Sequence, residues 1–455
     1  MHPSTHAQDR SVDWSFLHHS RQCPHLDPVG ISEFTARRAR LARTLSQGDA
    51  EWAAYVSEPS ANTLYYLNVT QAGWYLSERP WLAILSPPTS NDDEQGAHLS
   101  VLTPAFELSR SQRLPFALTS EQRASVDWVT WEEADDPYEV LMDHLAGLRG
   151  NENESGTVWS VEVEENVRTF VRDGLAAAAQ KRGKDGPQVG LAKLGVRELR
   201  MRKTAQEGAI QHCAAKITVE ALRAVRRRLR VGMTEKEGEA LITNALHAGG
   251  LTDVSVITLF GDNAALPHAS ASPDRKLKED EFALFDVGGS LFGYESDFTR
   301  TMLPDPPASR LPRNRKWPSA RAERVWTTVH RAQQAALDAL LTPNESSVVY
   351  AADVDRAARG VIEREGWGQY FTHRLGHGIG LEVHEHPYLN GGNTQQALLP
   401  GETFSNEPGV YIERAADPDP EGHGIGVRLE DMVRKTERGW ELVSREPLAQ
   451  SPWEP

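Results

Sequence analysis

Four short stretches of this chain hold residues whose types and spacing could do chemistry together. The first, FALFDVGGSLFGYESDFTRT, carries Asp286 and Asp297. Their spacing is odd, which on one strand would turn them to opposite faces. A hairpin centred between Leu291 and Phe292 would instead set them opposite each other. Gly288, Gly289 and Gly293 flank that centre and permit the turn. Asp297 also interrupts a β-prone run, where Asp is normally depleted. The second stretch, ETFSNEPGVYIERAADPDPEGHGIGVRLEDMV, carries Glu407 and Glu430. Their midpoint falls at Pro418–Asp419, in a loop of Asp, Pro and Gly, so a second hairpin would bring them together. Arg428 stands two residues before Glu430 and shares its face. The third stretch, HRLGHGIGLEVHEHP, packs His373, His377, His384 and His386 into 14 residues, against 16 histidines in 455. The fourth, LPHASAS, offers His268.

Singly, each residue has an ordinary role: an Asp ending a strand, a surface Glu beside an Arg, a structural His. Together they make an oxygen-rich site with one imidazole. Four crowded carboxylates cannot all ionise without cations. Two divalent ions supply +4 against −4. Such donors suit Mn²⁺ first, with Co²⁺ or Zn²⁺ as alternatives; a purely structural Zn²⁺ site would favour thiolates. A dinuclear centre of this kind makes water a nucleophile near neutral pH and polarises the carbonyl under attack.

The whole chain bounds these ideas. Its 455 residues suggest two to three domains. Lys+Arg 49 against Asp+Glu 64 leaves a net charge of −15, a field that repels phosphate backbones, so no nucleic-acid partner is expected. No apolar run nears the ~18 residues of a membrane helix. The first residues, MHPSTHAQDRSVDW, lack the basic and apolar regions of a signal peptide. A soluble, cytoplasmic protein is the expectation. With only Cys23 and Cys213 no disulfide framework is expected.

The elements that must position the site follow from periodicity. Residues 1–30 read as a polar arm laid over a domain surface. Residues 31–195 read as an α/β domain: helical spacing over 34–45, then β-like runs at Trp52–Val56, Leu64–Val69, Trp81–Leu85 and Leu99–Leu102. Helices follow near Pro137–Leu148 and Val163–Gln180. Loops are expected at 87–97 and 181–188. Residues 196–445 read as a second domain. A long helix near 205–230 buries Ile210, Ala214, Ile217, Ala221, Val225 and Leu229. Thr234 and Glu237 form a capping box for the next helix. Strands follow at 253–260 and 281–302. The pattern then recurs: helices near 322–341 and 346–365, strands at 371–384, 402–413 and 425–435. Two related halves around a shared sheet are expected, separated by an exposed loop at 303–321.

The motifs D-x10-D, GHGIG followed by HExP, EPGxY and VRxED, in that order, resemble those of the pita-bread metallopeptidases (family M24), which include methionine aminopeptidase, aminopeptidase P and prolidase. The likeness is dense over about 198–436. NTLYYLNVTQAGWYLSERP, 62–80, is similar to the N-terminal domain of prolidase, aminopeptidase P and creatinase. The resemblance implies an α/β creatinase-like N-terminal domain followed by an α+β pita-bread catalytic domain with two pseudo-symmetric halves. It implies Asp286, Asp297, His377, Glu407 and Glu430 as ligands of two divalent metal ions, Asp297 and Glu430 bridging. Glu407 would also accept a proton from the attacking water. His384, His268 and His373 would contact substrate or the tetrahedral intermediate, and Arg428 would orient the bridging carboxylate. A second GHGIG, at 422–426, makes His423 a rival to His377, but HExP follows only the first copy.

Methionine aminopeptidases usually lack a counterpart of 31–195, and creatinase lacks the full ligand set. The resemblance therefore points to the proline-directed branch, an Xaa-Pro dipeptidase or aminopeptidase P acting on short proline-containing peptides, as a homodimer. Many long prolidases have an arginine after HExP for the substrate carboxylate. Between Pro387 and Asn406 this chain has no Arg or Lys, which argues that tripeptides are accepted. The alternatives are an inactive pita-bread binding protein or a creatinase-like amidino hydrolase.

Overall fold

The computed structural model describes residues 12–47, 50–88, 96–150, 158–305, 316–341, 348–418 and 422–455. Most of the loop expected at 303–321, the middle of the 87–97 loop and the first 11 residues of the arm lie outside these. The chain divides into two compact units: Asp27–Arg200, and Met201–Pro455 together with the described part of the first 26 residues.

The first unit is built on a six-stranded mixed sheet in the order β4-β3-β2-β1-β5-β6. Its strands are β1 (Trp52–Ser57), β2 (Leu82–Ser86), β3 (His98–Pro104), β4 (Asp127–Trp131), β5 (Trp159–Val163) and β6 (Gln188–Leu191). Its helices include α1 (Ile31–Ser46), α2 (Ala61–Leu67), α3 (Pro137–Arg149) and α4 (Thr169–Lys181). Asp136 caps α3, with Pro137 in its first turn, where a missing N–H costs nothing. Val56, Ile84 and Val161 of the sheet pack with Leu141 and Leu145 of α3 and Val171 and Leu175 of α4. One expectation is corrected. Leu64–Val69 is not a strand: it falls largely within α2. Ser60 caps that helix through a capping box with Thr63, and Asn68 ends it in the left-handed conformation. These end signals outweigh the β preference of the aromatic run.

In the second unit each half has a helix pair and strands. Helices α5 (Ala205–Arg226) and α6 (Glu235–Gly249) precede β7 (Thr252–Phe260), β8 (Ala283–Leu291) and β9 (Tyr294–Met302). The boxes Thr204–Glu207 and Thr234–Glu237 cap the two helices. Helices α7 (Ala320–Ala339) and α8 (Ala351–Arg364) precede β10 (Gly376–Gly378), β11 (Glu385–Leu389), β12 (Thr403–Asn406), β13 (Gly409–Ile412), β14 (Ile425–Arg428), β15 (Asp431–Thr436) and β16 (Gly439–Leu442). The strands do not form the single shared sheet expected. They fall into three hydrogen-bonded sets, β7-β8-β9, β11-β10-β12-β15-β16 and β13-β14.

The cysteines also overturn an expectation. Cys23 and Cys213 form a disulfide with a Cα–Cα distance of 6.0 Å, across 190 positions of sequence. Spacing on that scale carries no pairing signal; only the fold brings the arm to α5. Leu17 of the arm is fully buried, and the Lys216 ammonium donates to the carbonyl of Gln22 at 3.2 Å.

Candidate metal centre

The β8–β9 ladder pairs Asp286 with Thr299 and Gly288 with Asp297. The turn is therefore centred between Phe292 and Gly293, one residue later than the expected centre. Both residues have positive φ, 51° and 87°, as a tight two-residue hairpin demands. Asp286 and Asp297 are consequently diagonal neighbours on one face rather than directly opposed.

Glu407 and Glu430 arise differently. The ladder β12–β15 ends at Asn406↔Asp431, and β13–β14 begins at Gly409↔Arg428. Both share one register, the register of the expected second hairpin. The two glutamates lie in the gap, where Pro408 has no N–H to pair. The Glu407 N–H donates instead to Leu375 O at 2.9 Å, just before β10, and the Glu430 N–H donates to Thr299 O of β9 at 3.0 Å. The gap thus ties three ladders together, with the acidic side chains at the junction.

His377 enters from β10. Its backbone N–H donates to Ser405 Oγ at 3.0 Å, and its Nδ1 lies 3.2 Å from Gly378 O. That leaves Nε2 facing Glu407 Oε1 at 3.2 Å and Asp297 Oδ2 at 3.7 Å. Three groups of donors form: His377 with Glu407 and Glu430, Asp286 with Asp297 and Glu430, and Asp297 with His377 and His384. Within each group one donor atom per residue lies within 4.8 Å of the others. Asp297, His377 and Glu430 each belong to two groups; of these, Asp297 and Glu430 are the carboxylates.

The arrangement fits cations. Burial, then the charges of Asp286 and Glu407, push the Asp297 carboxyl well above its ordinary range. Burial, then Asp297, Glu407 and Asp286, do the same to Glu430. Glu430 Oε1 is buried without a hydrogen-bond partner, while Oε2 accepts from Thr299 Oγ1 at 2.8 Å. An orphaned oxygen among like charges is a position for positive charge. Burial also opposes ionisation of Glu407. There the hydrogen bond and charge of His377, with His373 and Arg428, win and hold it at about 2.

Arg428 does not grip Glu430 directly. It donates to Asp286 Oδ2 at 2.6 Å, to the Tyr411 hydroxyl at 2.7 Å and to Thr299 Oγ1 at 3.0 Å. It reaches Glu430 only through that threonine. His373 is half-buried, with Nδ1 2.6 Å from Arg374 O and Nε2 2.9 Å from the Tyr411 hydroxyl. His384 is exposed and sets its ring on that of His377, centroids 4.2 Å apart. Burial, then the charges of His377 and Arg374, lower His384 to about 4. His268 is exposed on the loop before β8, and its charge is felt by His373. His423 is exposed before β14 and belongs to none of the three donor groups. Sequence reasoning gave no role to Thr299, Ser405 or Tyr411. Thr299 and Ser405 are direct partners of Glu430 and Glu407, Tyr411 is a partner of Arg428 and His373, and only Tyr411 lay in a quoted motif.

A model of metallopeptidase family M24 matches residues 209–437, which include every one of these acids and histidines. The chain belongs to metallopeptidase family M24. An uncharacterised peptidase of Schizosaccharomyces pombe is 36% identical over 435 residues, 93% of this chain and 83% of that protein. Among solved structures, the dipeptidase PepE of Mycobacterium ulcerans superposes with a TM-score of 0.72 at 29% identity, covering 93% of this chain and 98% of that one. A prolidase of Thermococcus sibiricus follows at 0.64 and 25%, covering 91% and 96%. The fold is the M24 pita-bread fold with an N-terminal domain, and the protein is a metallopeptidase hydrolase whose substrates are peptides.

Proposed function

We propose that this M24 metallopeptidase is an exopeptidase that hydrolyses Xaa-Pro bonds at the N-terminus of short peptides, using two divalent cations, Mn²⁺ by donor preference. The convergence of Asp286, Asp297, His377, Glu407 and Glu430 in donor groups no wider than 4.8 Å carries this reading. These five side chains would hold the ions, with Asp297 and Glu430 shared between them. When bound, the ions supply Lewis acidity to the scissile carbonyl and make water a nucleophile at neutral pH.

The chain's own residues do the rest. Glu407 is held ionised, and its Oε1 already accepts from Ser405 Oγ at 3.0 Å. Oε2 would take the proton from the attacking water and deliver it to the proline nitrogen as the C–N bond breaks. His384, neutral near pH 7, would donate to the oxygen that gains charge at the carbonyl carbon. Both ring nitrogens of His373 are engaged, so it would shape the pocket rather than move a proton. His268, from an exposed loop, would close the same side. Proline after the scissile bond has no N–H, so binding cannot depend on that donor.

The test is chromatography of digests of an Xaa-Pro dipeptide, an Xaa-Pro-Xaa tripeptide and their Xaa-Ala counterparts with Mn²⁺-loaded protein. The reading expects cleavage at proline only. Equal rates on Xaa-Ala peptides would defeat it. A homodimer is proposed by likeness to the family, and light scattering at micromolar concentration checks it.

A further inference from the structure

The loop that joins β7 to β8 carries His268, and one side chain closes its base. Glu235 opens α6 and is fully buried. Its Oε1 accepts from the Phe260 N–H at 2.7 Å and its Oε2 from the Ser272 N–H at 2.7 Å. The Asn263 side-chain amide donates to both oxygens, at 3.0 and 3.1 Å. Phe260 ends β7 and Ser272 lies beyond His268, so both ends of the loop meet on one carboxylate. All these donors are neutral. The buried group is satisfied by the loop it holds, and it belongs to none of the three metal-donor groups. Glutamine has nearly the same shape but would turn an NH₂ toward N–H donors.

Between these ends the loop is seated beside the metal centre. Ala264 and Ala265 are buried. The Ala264 carbonyl lies where a Cβ on Gly426 would stand, so the loop backbone rests directly on β14, the strand that ends in Arg428. His268 itself is exposed and makes no hydrogen bond among the described residues. Its place is therefore set by its backbone, as in a compact loop closed at its base. Its charge is nevertheless felt by His373. For a side chain held in this way, the base of the loop decides the geometry at the site. A shift of about 1 Å there can cost on the order of 10²-fold in rate.

We propose that Glu235 is a positioning residue for hydrolysis: by clamping both ends of the β7–β8 loop, it sets His268 against the bound peptide. The proposal rests on the Xaa-Pro exopeptidase reading, in which His268 closes one side of the substrate pocket. It gives a part in the reaction to a buried carboxylate that is neither a metal donor nor a proton acceptor there.

The experiment is a double-mutant cycle of Glu235→Gln and His268→Ala on Mn²⁺-loaded protein, with Ala-Pro, Ala-Pro-Ala and Ala-Ala as peptides. Metal content by mass spectrometry and hydrogen exchange over 261–272 run alongside. Glu235→Gln should lower kcat/KM by about 10- to 100-fold. The loss should divide between kcat and KM as it does in His268→Ala. Metal content should stay at the wild-type level while exchange in the loop rises. In the His268→Ala background the same change should cost less than about two-fold, because the imidazole it places is gone. A full penalty in that background overturns the proposal. So does metal loss in Glu235→Gln, unchanged exchange in the loop, or wild-type kinetics in either single variant. If Glu235→Gln does not fold, Asn263→Ala takes its place in the cycle, since it removes only the donor shared by both oxygens. A wild type that cleaves Ala-Ala and spares the proline peptides defeats the Xaa-Pro reading alone, and the cycle on Ala-Ala still decides Glu235. Inertness toward all three peptides defeats both.

Discussion

In the β8–β9 hairpin the two aspartates sit inside an unbroken ladder, whereas Glu407 and Glu430 sit where one ladder stops and another begins. The aspartates owe their places to local pairing: Asp286 opposes Thr299 and Asp297 opposes Gly288. The glutamates owe theirs to distant backbone, Leu375 O and Thr299 O. The first arrangement sets direction by strand alternation alone. The second lets two backbones diverge after Pro408, so that strands from three ladders meet at one point. A centre that needs ligands from separate sheets therefore requires one regular hairpin and one interrupted one.

The sharpest way to break this comparison is at the interruption. Glu407→Gln keeps the shape of the junction but removes the proton acceptor and a charge. The expected loss in kcat is about 10²- to 10⁴-fold, with an unchanged circular dichroism spectrum. Steady-state kinetics within a few-fold of wild type would exclude the role.

On the regular side, Asp297→Asn should act first on metal rather than on rate. Loss of shared charge toward both ions should weaken metal binding by at least about 10- to 100-fold, the range seen even for groups that only support a ligand. Mass spectrometry of dialysed protein measures it, and two retained ions would refute it. Metal removal has a pH signature with a definite sign. Asp297 and Glu430 have raised folded-state pKa values, so the chelated fold binds more protons than the unfolded chain. The stability contributed by these two groups is then greatest below the ordinary values of 3.8 and 4.5 and is lost as pH rises above them toward their folded-state values. Cations should restore stability more at pH 8 than at pH 5.5 in thermal unfolding. An equal gain at both would contradict the charge-crowding account.

Two glycines sharpen the comparison further. A Cβ at Gly288 would meet the Ser296 carbonyl across the regular ladder, and one at Gly426 would meet the Ala264 carbonyl. Both neighbours are backbone, so Gly288→Ala and Gly426→Ala should each cost about 1–3 kcal/mol in urea unfolding. Metal content should separate them. Gly288 pairs with Asp297 itself, whereas Gly426 lies beyond the junction, whose glutamates keep their anchors at Leu375 and Thr299. Equal metal loss in both variants would erase the distinction.

How far this was readable follows from the range of each interaction. The Glu407–Glu430 register was legible because a loop of Asp, Pro and Gly fixes the midpoint, and both ladders keep that register. The Asp286–Asp297 pairing was legible in kind but displaced by one residue: glycines stand on both sides of the turn, and nothing in the composition says that Phe292 will take a left-handed conformation. Leu64–Val69 misled because its aromatic content speaks for strand, while Ser60, just upstream, speaks for helix. Arg428 lies close to Glu430 in sequence, yet its long side chain finds Asp286 on a strand of another sheet. The Cys23–Cys213 link depends on a contact that spacing cannot show.

The smallest expected effect tests why the first turn sits where it does. Phe292 has φ of 51°, a region that costs an L-residue about 1 kcal/mol, and Asn tolerates it best among non-glycines. Phe292 is not idle, however: its ring meets the edge of His19 in the arm, centroids 5.6 Å apart, a contact worth about 0.5–1.5 kcal/mol. In Phe292→Asn relief of strain and loss of the ring contact should nearly cancel, leaving stability within about 0.5 kcal/mol of wild type. Phe292→Leu loses the ring and keeps the strain, so it should fall below Phe292→Asn by about 1 kcal/mol. If the two variants unfold at the same urea concentration, backbone strain has no part in placing the turn. The diagonal pairing of Asp286 and Asp297 would then rest on Gly293 alone.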